Sequence, residues 1–139
     1  MRIQVIGSFK PLTEKIIQKD KDFSKFLFDT ALLLNSKIQR RVQIQGLGSD
    51  DRKMPRYSKK YENKRAKIGR QIAYRDLTNK GTMWQSLTAE KIGNGAKMFF
   101  GGAEEKTKAF HNDKKTPFFS LSPSEQVFLQ KELEGFVEL

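Results

Sequence analysis

The stretch DFSKFLFDTALLLNSKIQRRVQIQ, residues 22–45, decides the fold of this chain. It contains no glycine or proline, and its apolar side chains recur at steps of three and four residues. The repeating positions are Phe23, Leu27, Ala31, Leu34, Ile38 and Val42. This period predicts an amphipathic helix of about six turns, since an α-helix has about 3.6 residues per turn. We expect Phe26, Leu32 and Leu33 to widen its apolar face, and Gly46 and Gly48 to end it.

Short strands are predicted on either side of this helix. Residues 2–6, RIQVI, alternate polar and apolar side chains, as a half-buried strand does. Residues 87–92, LTAEKI, and 96–100, AKMFF, are separated by Gly93-Asn94-Gly95. An Asn-Gly pair tolerates the positive φ angles of a tight turn, so these two segments predict a β-hairpin.

The end of the chain predicts a second helix. Ser122 is a favourable N-cap, Pro123 suits the first helical position, and Glu125 lies three residues after the cap, which completes a capping box. We expect four apolar side chains of this helix to face a core: Val127, Phe128, Leu133 and Phe136. The polar run at 103–116 is predicted to be an exposed connection. Together the elements predict an α+β fold, in which both helices pack on a small antiparallel sheet within one domain, residues 1–139.

Composition limits the possible functions. At 139 residues the chain has the length of one domain. It has no cysteine and one histidine, His111, so thiolate chemistry and the usual zinc sites are excluded. No apolar run approaches the roughly 20 residues that span a bilayer, and we expect no membrane partner. The paired Asp50 and Asp51 lack a third carboxylate nearby, which favours a solvated loop over a metal or catalytic site. We therefore predict no enzyme, no metal and no cofactor, with a nuclease as a distant alternative.

The net charge of +11 is concentrated in one region. Residues 37–75 hold thirteen Lys and Arg against three acidic residues, a net charge of +10. Within it, residues 46–76 have few apolar side chains, and we predict a long, extended and mobile basic arm that a partner orders. The candidate contact residues of this arm are Arg52, Lys53, Arg56, Lys59, Lys60, Lys64, Arg65, Lys67, Arg70 and Arg75.

Three interpretations of this arm stay open. Its cations alternate with Tyr57, Tyr61 and Tyr74, a combination that can bind nucleic acid through phosphate contacts and stacking. Contact with an acidic face of a neighbouring protein explains the charge equally well, and so does a solvated loop.

The only tryptophan lies directly after the arm, in LTNKGTMWQSL, residues 77–87. On a helical turn Leu77, Gly81, Trp84 and Leu87 share a face, which predicts a local piece of core, and Gly81 would let another segment approach Trp84. The same stretch resembles the L-x-x-T/K-G-x-L/M-x-x-S-L/I signature of the virion morphogenesis, tail-completion and neck proteins of tailed phages.

The resemblance extends to about residues 22–136. Upstream, MPRYSKKY at 54–61 is similar to a family loop in which a proline and an aromatic residue precede a basic run. Downstream, AFHN at 109–112 and TPFFSLS at 116–122 resemble the segment before the family's last helix. Two positions depart from the pattern. Ala109 and His111 are separated by one residue fewer than in the family pattern. Phe118 follows Pro117 at a position where the family often has arginine.

The resemblance implies a non-enzymatic structural protein. Its implied fold is a long helix against a small antiparallel sheet, and its implied assembly is a homo-oligomeric ring at the head–tail junction or tail end of a virion, formed in the host cytoplasm. Neighbouring connector or tail proteins are the implied partners, with possible contact to packaged DNA. The family-motif residues expected in the core or at an interface are Leu77, Gly81, Met83, Trp84, Ser86, Leu87, Pro117, Phe118 and Phe119. The alternative function is a small basic nucleic-acid-binding protein.

Overall fold

The computed structural model describes residues 3–4, 23–78, 80–93 and 95–138. These residues form three strands and five helices, in an α+β arrangement that confirms the predicted fold class. In chain order the elements are β1 (Ile3–Gln4), α1 (Phe23–Gln43), α2 (Lys59–Lys67), α3 (Thr82–Gln85), β2 (Leu87–Ile92), β3 (Gly95–Phe100), α4 (Ala103–Lys115) and α5 (Pro123–Glu138). The sheet has the order β1-β3-β2, and both pairs of neighbouring strands are antiparallel.

Helix α1 packs along the sheet and forms the centre of the core. All six side chains of the predicted apolar stripe are buried. The expected widening of the stripe was wrong for Leu32 and Leu33, which are 40% and 51% exposed. These two positions lie on the flank of the helix that the sheet does not cover. Near the sheet, buried Asn35 donates a hydrogen bond to the carbonyl of Thr88 in β2.

Gly46 and Tyr74 lie at the C-terminal end of α1 and determine how it terminates. Gly46 adopts φ +69°, as a residue just beyond a helix end often does, and this confirms part of the predicted termination. The ring of Tyr74 lies directly over Gly46, where a Cβ atom would stand 2.7 Å from the ring. The Tyr74 hydroxyl donates to the carbonyl of Gln43 at 2.7 Å and lies 3.0 Å from that of Ile44, so it satisfies an acceptor that the helix end leaves free.

The predicted hairpin is present. Strands β2 and β3 pair from Leu87 opposite Phe100 to Ile92 opposite Gly95. Gly93 has φ +52° in the turn, while Asn94 lies outside the described residues. The predicted first strand is described only at Ile3–Gln4, which pairs with β3, and its residues 2, 5 and 6 lie outside the described part of the chain.

Four aromatic rings pack together beneath the sheet. The ring of Trp84 is 6.1 Å from that of Phe100 and 5.7 Å from that of Phe118, and Phe119 lies 4.8 Å from Phe100. Edge-to-face and tilted arrangements at these distances are favourable because ring edges are positive and faces negative. The tryptophan of residues 77–87 and the aromatic pair after Pro117 therefore form one cluster.

The capping box at the start of α5 is confirmed. The Ser122 backbone N–H donates to the Glu125 carboxylate at 3.0 Å, and the Glu125 N–H donates to the Ser122 hydroxyl at 3.3 Å. Glu125 also forms a buried ion pair with Arg41 of α1 at 2.5 Å. Burial lowers the pKa of Arg41 and raises that of Glu125. The inward placement of Val127 was wrong, since it is exposed and Leu129 is buried instead.

The predicted connection at 103–116 was wrong in its structure, because Ala103–Lys115 form helix α4, but most of these residues are exposed as predicted. Acidic Glu104 and Glu105 lie in its first turn and Lys114 and Lys115 in its last, which suits the helix dipole. Ala109 is the buried residue of this helix. Asp113 of this helix accepts hydrogen bonds from the Phe118 and Phe119 N–H groups, so α4 is attached partly by polar contacts and its sequence shows no apolar stripe.

The prediction of an extended basic arm over 46–76 was wrong as well. Residues 59–67 form α2, which begins after Ser58, whose hydroxyl accepts a hydrogen bond from the Tyr61 N–H. Glu62 and Arg65 are buried on the inner side of α2. The segment is packed by charged side chains rather than apolar ones, so its composition resembled that of a solvated loop. In the described part of the chain, no helix is both long and apolar enough to cross a membrane.

Candidate functional site

Asp76 is the residue that fixes the basic segment to the rest of the protein. Its carboxylate accepts two hydrogen bonds from the Arg65 guanidinium, both at 3.1 Å, and one from the Gln71 side-chain amide at 2.9 Å. The backbone N–H of Thr78 donates to the same carboxylate at 2.9 Å. Several partners compensate for the loss of water around this carboxylate, as a buried charge requires.

Tyr57 extends this network toward the surface. Its hydroxyl donates to Asp76 and accepts a hydrogen bond from the Leu77 N–H. Its ring lies 4.6 Å from the guanidinium of Arg65 and 5.8 Å from that of Arg75, within the range of cation–π attraction. Burial, together with the negative charge of Asp76, raises the pKa of Tyr57 to about 12.

The chain turns sharply after Asp76 and brings Trp84 back onto it. The Trp84 indole N–H donates to the Asp76 carbonyl at 3.2 Å. Leu77 has φ +59° and Gly81 has φ +83°, both left-handed conformations. The predicted shared helical face was wrong, because Thr82–Gln85 is the only helical part of this stretch among its described residues. The space beside Gly81 is open except for the Gln85 side chain, so its role is the backbone angle and not a close approach.

A cleft of about 660 Å³ opens beside this turn. Fourteen described residues line it: Arg56, Tyr57, Ser58, Tyr61, Arg75, Leu77, Thr78, Lys80, Gly81, Thr82, Met83, Lys108, Asn112 and Lys115. Three stretches of chain contribute to it, namely the start of the basic segment, the end of that segment with the turn after it, and one face of α4. We call this the cationic cleft.

The lining residues of the cationic cleft include five cations and no carboxylate. Arg56 is paired with Glu62, and Lys108 with Glu104 and Glu105. Arg75 donates to the side-chain oxygen of Asn112. The hydrogen bond to Glu104 raises the pKa of Lys108.

Two lysines of the cleft remain uncompensated. Lys80 and Lys115 are exposed, and neither forms an ion pair with another described residue. A concave surface of one charge sign concentrates the field and attracts a group of opposite sign. The cleft is therefore suited to an anionic ligand or partner.

A second basic surface lies on α2. Lys60, Lys64 and Lys67 are exposed and follow one another at steps of four and three residues, which places them along one side of the helix. We call these three residues the α2 stripe. None of them lines the cationic cleft. The protein thus presents two separate basic features in the part of the chain that the structure describes.

The structure places the ten predicted contact residues in three different environments. Arg65 was wrong as a contact residue, because it is fully buried and holds Asp76. Arg56 and Arg75 line the cationic cleft. The other seven are exposed: Arg52, Lys53, Lys59, Lys60, Lys64, Lys67 and Arg70.

The family-motif residues lie mostly inside the protein. Met83, Trp84, Phe118 and Phe119 are buried, Leu77 and Leu87 pack partly buried against the core, and the Ser86 hydroxyl donates to the Met83 carbonyl. Pro117 is exposed, and its carbonyl accepts a hydrogen bond from the Ser49 N–H.

Sequence reasoning missed the three lining residues of the cleft that α4 supplies. Lys108, Asn112 and Lys115 recur at steps of four and three residues, so they line one face of the helix. The spacing was visible, but it carries information only once the segment is known to be helical. Lys80 was missed because it lies just beyond the segment that was treated as the arm.

The site offers charge and hydrogen-bond donors. No group of three or more His, Cys, Asp or Glu is placed to hold a metal ion among residues 3–4, 23–78, 80–93 and 95–138. His111 is exposed on α4 beside Phe110, and Asp51 accepts hydrogen bonds from the Ser124 backbone and hydroxyl.

No family model, curated protein or solved structure matches this chain.

Proposed function

We propose that this chain is a structural protein of a tailed-phage virion, a subunit of a ring at the head–tail connection or the tail terminus. The observation that carries the proposal is the order of motifs similar to that family: residues 54–61, then 77–87, then 109–122. Two of these motifs supply the aromatic cluster of Trp84 and Phe118, and the third supplies Tyr57, which bonds to Asp76. The Trp84 indole N–H donates to the carbonyl of Asp76, so the three motifs are linked by direct contacts, which supports reading them as one signature.

The physical character of the surface also supports a role in assembly. The body is held by buried ion pairs at Arg65 and Arg41, and cations are left at its surface in the cationic cleft and the α2 stripe. The basic segment was predicted to become ordered only on binding a partner, but it is folded in the single chain, so its charges have fixed positions. A subunit of this kind can dock through preformed complementary surfaces, with little ordering of chain on binding.

The proposal is tested on virions. Mass spectrometry of purified particles should detect the protein, and electron microscopy should place it at the head–tail junction or the tail end. Particles assembled without its gene should accumulate unjoined heads and tails or unfinished tails. Mature particles that lack the protein, with normal tail joining in its absence, would overturn the proposal.

A second candidate function is nucleic-acid binding, and the α2 stripe is the observation that favours it. Three exposed lysines on one side of a helix can contact successive phosphates. The logarithm of the affinity for duplex DNA should then fall linearly with the logarithm of salt concentration, with a slope of about −0.9 for each phosphate contact.

This candidate has its own matched variants. The triple change Lys60→Glu, Lys64→Glu and Lys67→Glu should abolish DNA binding. Lys106→Glu, Lys114→Glu and Lys131→Glu reverse the same number of exposed charges elsewhere and should leave most of it. Equal loss in both triple variants would show that only the net charge matters, and would count against a binding surface on α2.

A further inference from the structure

An acidic surface lies at the end of α5. Glu132, Glu134 and Glu138 occupy its last two turns, and Glu134 and Glu138 are one turn apart and exposed. None of the three forms an ion pair with another described residue. We call these three residues the acidic end. It carries uncompensated carboxylates on a chain whose net charge is +11.

The acidic end and the cationic cleft lie at opposite ends of helix α1. Phe136, between the carboxylates of the acidic end, stacks on Phe26 in the first turn of α1, with ring centroids 4.3 Å apart. At the other end, the side chain of Gln43, the last residue of α1, donates to Thr78, which lines the cleft. A helix of 21 residues is about 30 Å long. The two charged surfaces of one molecule are therefore too far apart to pair with each other.

We propose that the acidic end of one copy of this chain docks in the cationic cleft of the next copy. The contact joins two different surfaces, so each copy uses its cleft for one neighbour and its acidic end for another. A contact of this head-to-tail type closes into a ring when its rotation permits. The inference rests on the proposed role as a ring subunit and names the surfaces through which the ring forms.

The charges also disfavour the competing symmetric contact. Two clefts facing each other would bring Lys80 and Lys115 of both copies together, and two acidic ends would oppose carboxylates. Like charges across an interface oppose association, whereas opposite charges guide it and set its register. At physiological salt the screening length is about 8 Å, so the net positive charge of the whole chain acts less strongly than these close contacts.

The test is a charge exchange on the full-length chain, with oligomeric state measured by analytical ultracentrifugation over a range of protein concentrations. The cleft variant carries Lys80→Glu and Lys115→Glu, and the acidic-end variant carries Glu134→Lys and Glu138→Lys. A matched control carries Lys60→Glu and Lys64→Glu, which change the net charge as the cleft variant does, but on the α2 stripe. All six side chains are exposed, and circular dichroism confirms that each variant is folded.

Each two-residue variant should weaken association by about tenfold or more, because attraction is replaced by repulsion. The control should associate as the original chain does. A chain that carries all four exchanges has both surfaces reversed, and it should recover association. This recovery distinguishes pairing between the two surfaces from a general effect of charge.

Three results would overturn the docking proposal: a chain that stays monomeric at every concentration, oligomers that ignore both variants, or a fourfold variant that does not recover. A cleft variant that associates normally but no longer binds a labelled single-stranded oligonucleotide would assign the cleft to nucleic acid instead. Failure of this docking is separable from failure of the virion role, because the latter is decided by the presence of the protein in purified particles.

Discussion

The guanidinium of Arg65 lies 3.1 Å from both carboxylate oxygens of Asp76, and the two side chains are only 2% and 11% exposed. This pair joins α2 to the turn before Trp84. The least solvated cation of the most basic region is thus part of the protein's interior, and it determines where the exposed cations of that region stand.

Removing one partner of this pair should destabilise the fold strongly. Asp76→Ala leaves the Arg65 charge buried without its counterion, and we expect a loss of about 3–5 kcal/mol in the free energy of unfolding. Urea unfolding followed by the fluorescence of Trp84, the only tryptophan, measures it. Lys25→Ala, which breaks the exposed pair with Asp29, should change stability by about 0.5 kcal/mol or less. Equal effects of the two substitutions would contradict the structural role of Asp76.

Two glycines with similar backbone angles should respond differently to alanine. Gly46 and Gly69 have φ of +69° and +75°, so either substitution incurs the left-handed penalty of about 1–2 kcal/mol. At Gly46 the new Cβ would also stand 2.7 Å from the Tyr74 ring, whereas nothing lies within 4 Å at Gly69. Thermal unfolding should therefore show a clearly larger loss for Gly46→Ala. Indistinguishable melting temperatures would mean that Tyr74 does not pack over Gly46.

Trp84 should contribute through both its ring and its N–H. Trp84→Ala empties a site that is 3% exposed, and we expect a loss of about 3–5 kcal/mol. Trp84→Phe keeps an aromatic ring but leaves the Asp76 carbonyl without this donor, and it should cost less. Because both variants lack the fluorescent reporter, circular dichroism follows their unfolding in urea. An unchanged midpoint for Trp84→Ala would place the ring outside the core.

Alkaline pH should weaken the attachment of the basic segment through Tyr57. The folded-state pKa of about 12 lies above the ordinary value of 10.0, because burial and the neighbouring Asp76 oppose the phenolate. The stability linked to this proton is fully present below pH 10 and is lost as the pH rises toward 12. Tyr57→Phe lacks this titration, so the difference in unfolding free energy between the two proteins should shrink over that window. A constant difference from pH 9 to 12 would contradict the raised pKa.

The parts of the fold that follow from local patterns could be predicted from the sequence. The stripe from Phe23 to Val42 has the helical period, Asn94-Gly95 marks a hairpin, and Ser122 with Glu125 marks a helix start. Each of these signals lies within a few residues of the structure that it specifies. Burial at the edges of a helix's apolar face was harder to predict, as Leu32, Leu33 and Val127 demonstrate. It depends on which neighbouring element covers that side of the helix.

The rest depends on contacts that are distant in sequence. Helix α2 has almost no apolar side, and its attachment rests on Arg65 meeting Asp76, eleven residues later. Nothing in the composition separates a buried arginine from the exposed lysines beside it. The cationic cleft likewise joins Arg56 and Lys80 to a face of α4 that has meaning only once that segment is recognised as a helix.

The way in which Asp76 ties α2 to Trp84 has a consequence for proteolysis. Residues 52–75 hold ten Lys and Arg, each of which is a potential trypsin site. Trypsin would cleave this segment rapidly if it were unfolded. Here several of those peptide bonds are held in a helix anchored at Arg65, so cleavage within α2 must wait for the anchor to open. The rate at which trypsin cleaves within α2 thus reports how often the hydrogen-bond network around the Asp76 carboxylate opens locally.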